Sequence, residues 1–366
     1  MTNRAEAVIN LSAIKSNVAT LKAKAGVDLM AVVKADAYGH GLVPVAKVAL
    51  EGGATWLGVA LLEEAIALRT AGITAPILAW LVPPGSDFQS AIDKDIDLAV
   101  SSIKALDEIR ALKGSKRPRI HLEVDTGMTR GGFLSEWSEI DRDHLQGVEI
   151  VGIFSHFARA DEPGQAQNLE QINRFKKMVA NLDSFGFTNL IRHLSNSAAT
   201  LVDHSSAFDM VRAGIAMYGL TPDLNHLGTS QSLGLKPAMT LRAKLHLVKV
   251  VPAGSPVGYG ATEKTKSDTT LGVVAMGYAD GIPRIAKGVG IFFNGKRAPI
   301  IGRVSMDQFV VDLGAETTAQ TGDWVTIFGA GDAGEYTADD WGGASSSINY
   351  EIVTRIGPRV PRIYEL

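Results

Sequence analysis

The chain has 366 residues, 46% of them hydrophobic, and a formal net charge of −3. That length fits two domains, although a barrel can absorb more than the usual share, and the near-neutral charge without a basic block excludes nucleic acid as an expected partner. The absence of Cys rules out disulfides, thiolate-bound metals and thiol catalysis, and the lack of an apolar signal core or of any apolar run near ~18 residues makes a soluble, cytoplasmic protein the expectation.

A helical pattern covers Ala13 to Ala25, with Ser12 as its expected N-cap. The run 30–34 reads as a buried strand that ends in Lys34. Further strand-like runs lie at 55–60, 75–80, 97–101, 119–125, 149–156, 191–195 and 209–213. Helical patterns separate several of them: Leu61 to Ala71 stops at Gly72, and Glu170 to Phe185 puts Ile172, Phe175, Val179, Leu182 and Phe185 on one stripe before Gly186. Eight β-then-α units predict an α/β fold, an N-terminal parallel (β/α)8 barrel, with a doubly wound sheet as the alternative. The character changes near Leu235-Lys236-Pro237. Runs at 239–251, 271–277, 299–304, 308–313 and 324–328 are separated by Gly, Pro, Asn and Asp turns, with no long helical stripe. The expected division is a barrel over 10–235 and a mainly antiparallel β domain over 236–366, with residues 1–9 free to pair with the latter.

A barrel carries its active site at the C-terminal ends of its strands. Lys34 ends the first, in Val32-Val33-Lys34-Ala35-Asp36-Ala37-Tyr38-Gly39-His40. An ammonium at the mouth of an apolar strand is costly to desolvate, so its pKa can fall and a neutral amine can attack a carbonyl; alternatively, such a lysine simply reaches water. The fifth strand leads into Asp125-Thr126-Gly127-Met128-Thr129-Arg130, the sixth ends in Ser155-His156-Phe157, the seventh runs through His193 to Asn196-Ser197, and the eighth carries Arg212, then Gly214-Ile215. Singly, each is a strand-end polar group or a cap; together they define a site. Loops after the seventh and eighth strands of such barrels often bind phosphate, and Asn196-Ser197 could serve there, as a plain N-cap, or as both.

The Lys34 segment resembles the pyridoxal-phosphate lysine motif of the alanine racemase family. So do Val211-Arg212-Ala213-Gly214-Ile215, Val257-Gly258-Tyr259-Gly260, Gly277-Tyr278-Ala279-Asp280-Gly281, Ser305-Met306-Asp307, Asn349-Tyr350-Glu351 and Arg359-Val360-Pro361-Arg362, in order along almost the whole chain. The resemblance implies the cofactor pyridoxal 5′-phosphate, held by Lys34 as a Schiff base, with Tyr38, Asn196, Ser197, Gly214, Ile215 and Tyr350 around its phosphate and entrance. It implies a homodimer in which Tyr259 reaches the other subunit's site as second base. Racemisation removes a proton from one face of Cα and returns it on the other, which two groups on opposite faces accomplish. A tyrosine is a poor base, with a reference pKa near 10, unless cations stabilise its phenolate. By resemblance His156 contacts Tyr259 and links to Arg212, itself near His193, while Arg212 faces the pyridine nitrogen. Arg130, Met306 and Asp307 would take the substrate carboxylate, with Tyr278 completing the entrance. The implied product is D-alanine for peptidoglycan.

The chain departs from the family at Glu123, where many members carry a lysine that is often carbamylated. Glu123 would supply a carboxylate without modification, and is expected to pair with Arg130. Gly329 to Gly334 fits G-x-G-x-x-G without a βαβ frame and reads as a turn. Asp93 to Asp97 resembles the start of a calcium loop, but Leu98 replaces its Gly. The eight histidines show no metal spacing, so no metal is expected. The competing readings are a pyridoxal-phosphate binder without turnover, a broader racemase or decarboxylase, and a lysine aldolase.

Overall fold

The computed structural model describes residues 3–366. One compact unit comprises Ile14–Ala37 and Leu42–Leu235. Its sheet has eight parallel strands: Asp28–Val32, Trp56–Val59, Ile77–Ala79, Asp97–Val100, Arg119–Glu123, Glu149–Phe154, Ile191–His193 and Met210–Ala213. All eight lie within two residues of the runs read from the sequence. Each of the first seven pairs with its neighbour in the chain, and the eighth pairs with the first. The seventh and eighth share no ladder, but Arg212 N–H donates to Ser195 O at 2.9 Å and Asp209 N–H to Arg192 O at 3.1 Å. The result is a nearly closed barrel, not an open doubly wound sheet. Strands buried on both faces need continuous apolar runs, which is what the sequence supplies. Met30, Trp56, Leu78, Ala99, Phe154 and Met210 form one buried cluster drawn from six of the strands.

The helix expected to start behind Ser12 begins at Leu11 instead. Asn10, the last residue of the preceding strand, is the true cap: its Oδ1 accepts the Ala13 N–H at 2.8 Å. Asn and Ser are similar caps, and only the strand end decides between them. The helix Ala166–Ser184 buries Ile172, Phe175, Val179 and Leu182, with Phe185 half-buried beyond its end.

The second unit holds the N-terminal segment through Ala13, Tyr38–Gly41 and Lys236–Leu366. The 13-residue strand Met239–Val251 is its spine, antiparallel to Ala5–Asn10, Thr269–Val274 and Trp324–Phe328. Ala5–Asn10 also pairs in parallel with Arg362–Glu365. The apolar run 299–304 is not a strand: Gly302 turns at φ +78° and only Ile300 bridges, to Val311. The pairing there is a hairpin of Gly290–Phe293 with Lys296–Pro299 around Asn294-Gly295, both at positive φ. Two short helices, Ala338–Ala344 and Asn349–Thr354, also interrupt this mainly antiparallel unit. Among the described residues no helix is long and apolar enough to cross a membrane.

Candidate active site

Lys34 opens an unusual piece of backbone. Ala35, Asp36, Ala37 and Tyr38 have φ of +54°, +52°, +54° and +53°, followed by Gly39 at +79°. This is a left-handed turn, closed by Ala37 N–H donating to Val33 O at 2.8 Å. L-residues adopt that hand at a cost of about 1–2 kcal/mol each, so local contacts must hold it. Asp36 Oδ1 accepts the Leu42 N–H at 2.8 Å. Glu64 Oε1 accepts the Ala35 N–H at 2.6 Å, and its Oε2 accepts the N–H groups of Ala60 and Leu61. Gly39 is required twice over, by its φ and because a Cβ would fall 2.4 Å from Val353 O. Burial, aided by the Arg130 cation and opposed by Glu64, lowers the Lys34 amine below the ordinary lysine pKa.

Arg212 is the hub of the barrel's C-terminal face. Its Nη1 donates to His193 O at 2.7 Å and approaches His193 Nδ1 at 3.3 Å. Its Nη2 donates to Ser155 O at 2.7 Å, Leu194 O at 3.2 Å and His156 Nδ1 at 3.1 Å. None of these bonds uses Nε. Burial, with Arg130 against it and Glu123 in its favour, brings Arg212 down to about 10, so it stays a cation at neutral pH. His156 is pushed down to about 3 by burial, then by Arg212, Arg130 and Lys34. Its imidazole is therefore neutral, and because Nδ1 accepts from Arg212, the ring proton sits on Nε2.

The loop after the fifth strand is wound around Asp125, whose Oδ1 accepts the N–H groups of Gly127, Met128 and Thr129. This presents Arg130 as an exposed cation. Glu123 is half-buried. Burial raises its pKa, while Arg212 and Arg130 pull the other way. The expected Glu123–Arg130 pair does not form: among the described residues no ion pair within 4.0 Å joins them. Glu123 lies instead between the fields of two arginines.

Asn196 caps the helix Ser197–Val202, its Oδ1 accepting the Ala199 N–H at 3.1 Å. Ser197 Oγ accepts the N–H groups of Gly214 at 2.8 Å and Ala216 at 3.3 Å. That ties the loops after the seventh and eighth strands together and places Ile215 between two anchored neighbours.

The other unit carries the remaining candidates. Tyr38 and Tyr350 have ring centroids 6.3 Å apart, and burial pushes the Tyr38 phenol up. Tyr259 is 70% exposed in a turn between Gly258 (φ +70°) and Gly260 (φ +77°). Tyr278 and Met306 are adjacent and exposed: Tyr278 N–H donates to Ser305 O and Ala279 N–H to Met306 O. Arg359 spans Asp307 (2.6 Å) and the buried Asp280 (3.1 Å), which Arg4 also grips.

Sequence reasoning missed four groups in the barrel. Glu64 reads as an ordinary helix-start acid. Gln171, fully buried, donates to His156 O and Thr126 Oγ1 and accepts from Ala158 N–H, yet it sits beside a helical stripe that announces only packing. Asp97 and His121 are buried inside the barrel; a lone polar residue in an apolar strand was the available signal. Among the described residues no His, Cys, Asp or Glu group could hold a metal ion.

Residues 9–222 match the family described as "Alanine racemase, N-terminal domain", and residues 238–364 match "Alanine racemase, C-terminal domain". The chain is 49% identical over 371 residues to an alanine racemase of Frankia casuarinae, covering 99% of this chain and 96% of that one. Among solved structures, alanine racemase of Streptomyces lavendulae superposes with a TM-score of 0.96 at 46% identity, over 100% of this chain and 98% of that one. That of Bacillus anthracis, solved with L-Ala-P bound, gives 0.89 at 39% identity, over 100% and 96%. The chain belongs to the alanine racemase family of isomerases.

Proposed function

We propose that this enzyme interconverts L- and D-alanine with pyridoxal 5′-phosphate, using Lys34 and Tyr259 of the partner subunit as proton carriers on opposite faces of the substrate. The observation that carries this reading is Lys34, an amine of lowered pKa at the end of a barrel strand, set on a strained and clamped turn. The donors around it fit the cofactor. Lys34 matches an aldehyde. Ser197 Oγ already accepts two N–H groups, so its own proton is free for a phosphate. The N–H groups of Ser197 and Ala198 open their helix, as first-turn donors do. Arg212 keeps Nε for a ring nitrogen.

The cofactor, when bound, supplies the electron sink that acidifies the substrate Cα–H; the rest falls to the chain. Lys34 Nζ takes or returns the proton on its face. Tyr259 of the partner subunit does so on the other, its exposure matching a side chain presented to a second copy. The neutral His156 offers Nε2–H to that phenol oxygen. Arg130 holds the substrate carboxylate, with Met306 and Asp307 of the partner subunit, and the tyrosines Tyr38, Tyr278 and Tyr350 enclose the phosphate and entrance. Arg212, a cation at neutral pH, would face the cofactor's ring nitrogen without lending it a proton, since arginine does not give its own up. In a bacterium the product would feed peptidoglycan in the cytoplasm.

The test is to incubate the pyridoxal-phosphate-loaded protein with L-alanine in D2O and follow α-proton loss together with D-alanine formation. Exchange with inversion is expected. Exchange with retention would leave Lys34 working alone. No exchange would overturn the reading in favour of a non-catalytic cofactor binder or another substrate. Mixing Lys34→Ala with Tyr259→Phe chains should restore up to one working site per heterodimer; no rescue despite demonstrated subunit exchange would rule out a shared site.

A further inference from the structure

An apolar barrel core tolerates polar groups only when they are partnered. Here it encloses Asp97, His121 and His193, which are 2%, 0% and 0% exposed. They form a line. Arg212 Nη1 lies 3.3 Å from His193 Nδ1, and His193 Nε2 lies 2.9 Å from His121 Nδ1. His121 Nε2 lies 3.5 Å from Asp97 Oδ2, a long contact, but that nitrogen is buried with no other partner among the described residues. The walls are dry. Trp56 meets His121 edge-on at 5.3 Å, Phe154 stacks on His193 at 5.0 Å, and Arg212 lies over Phe154.

The direction of this line is determined. Arginine has no acceptor, so His193 Nδ1 must accept. A neutral His193 then carries its proton on Nε2 and donates to His121 Nδ1. His121 in turn carries its proton on Nε2, aimed at Asp97, whose carboxylate only accepts. Reversing both tautomers would set N–H against N–H at Arg212 and a lone pair against a carboxylate at Asp97. Both ends select the same order. Burial lowers both imidazole pKa values, reinforced at His193 by His121 and Arg212, and opposed at His121 by Asp97. A second proton on His121 Nδ1 would break the N–H···N bond between the rings, and one on His193 Nδ1 would face the Arg212 N–H.

We propose that Asp97 and His121 are positioning residues for Arg212. A one-way relay, Arg212 to His193 to His121 to Asp97, fixes the guanidinium at the mouth of the barrel from a carboxylate at the start of the fourth strand, and so holds Nε ready for the ligand. Hydrogen bonds in a chain polarise one another in a low-dielectric interior, so the terminal carboxylate makes His193 Nδ1 a better acceptor. The bland alternative is that Asp97 only pairs with Arg119, at 2.8 and 3.1 Å, to close the barrel base. That alternative leaves the orientation of two imidazoles that meet edge-on, with rings 76° apart, unexplained. The other charges facing the relay are Glu149, which grips Arg119 from outside, and Glu123 and Arg130 beside Arg212. The inference rests on the assignment of Arg212 to the cofactor.

The test uses 15N-histidine- and 15N-arginine-labelled holoenzyme. His121 and His193 should both show protonated Nε2 and accepting Nδ1, unchanged from pH 6 to 9, with a nitrogen–nitrogen coupling across their shared hydrogen bond. Asp97→Asn and His121→Phe should shift the Arg212 Nε resonance, loosen pyridoxal-phosphate retention about tenfold, and lower kcat with little change in the KM for alanine. Arg192→Met, which breaks another ion pair at the barrel base (Arg192–Asp209, 2.6 Å), should cost thermal stability and leave that resonance in place. A proton on His193 Nδ1 in the wild type overturns the relay, whether or not either variant folds. So does an Arg212 resonance that ignores Asp97→Asn or His121→Phe, or that follows Arg192→Met equally. A protein that keeps the relay resonances but does not racemise alanine would refute the proposed reaction and leave the relay standing.

Discussion

Glu64 accepts the N–H of Ala35 at 2.6 Å, the first peptide after Lys34, while its other oxygen holds Ala60 and Leu61 at 3.0 and 3.1 Å. One carboxylate thus ties the loop after the second barrel strand to the left-handed turn that carries the lysine. Bonds to a charged acceptor are among the stronger ones. Glu64→Ala should destabilise the fold by about 2 kcal/mol and loosen cofactor binding, read by urea unfolding and by dialysis against buffer. Glu64 also raises the Lys34 pKa against burial and Arg130. Glu64→Gln should therefore lower it further, so that in cofactor-free protein the amine reacts with an acylating reagent at a lower pH than in the wild type. An unchanged pH profile would remove Glu64 from the electrostatics of Lys34.

The strain in the turn is itself testable. Ala35 is exposed, has φ +54° and makes its hydrogen bond through the backbone alone. Glycine bears none of the Cβ penalty of that conformation. Ala35→Gly should thus stabilise the protein by about 1 kcal/mol, the opposite sign from the usual alanine-to-glycine change in a right-handed helix. A lowered urea midpoint would show that the turn is not strained at this position.

Two histidines enclosed by the barrel, His121 and His193, and the half-buried His156 at its mouth predict acid lability. His156, His121 and His193 all have lowered pKa values, chiefly from burial, and His156 reaches about 3. In the unfolded chain each titrates near 6.5. Between those values the unfolded state binds more protons, so stability is full above about pH 6.5 and falls as pH drops below it. Each histidine contributes up to about 1.4 kcal/mol per pH unit in that window. Unfolding free energy should fall from pH 7 to pH 5, and His156→Gln should reduce the slope by about one proton. A flat profile would mean that the imidazoles are already protonated in the fold.

The barrel was legible because its signal is local. Each strand is an apolar run, and the groups that matter stand where the run ends: Lys34, His156, Asn196 and Arg212 all fell at predicted strand ends. What stayed hidden depends on pairing. Nothing in the string links Asp97 to His121 or Glu64 to Ala35, because such contacts join strands and loops far apart in sequence. The left-handed hand of the Lys34 turn was equally invisible, since Ala-Asp-Ala-Tyr is ordinary helical material and only Gly39 signals otherwise. In the second unit Gly302 broke an apolar run that looked like a strand, and the true hairpin sits on Asn294-Gly295 a few residues earlier.

Glu123 gives the last prediction. It makes no ion pair with Arg130, yet its charge supports Arg212, and both arginines pull its pKa down against burial. Its contribution is therefore a field, not a contact. Glu123→Gln keeps the volume and removes the charge. It should lower kcat/KM about tenfold, ~1.4 kcal/mol, without unfolding the barrel. Wild-type activity should not respond to bicarbonate, because the carboxylate is built in. Glu123→Lys should reverse this: a cation beside two arginines would depress activity strongly, and bicarbonate should restore part of it by converting the amine to a carbamate. A Glu123→Gln enzyme with wild-type kinetics would mean that the two arginines need no counter-charge on this strand.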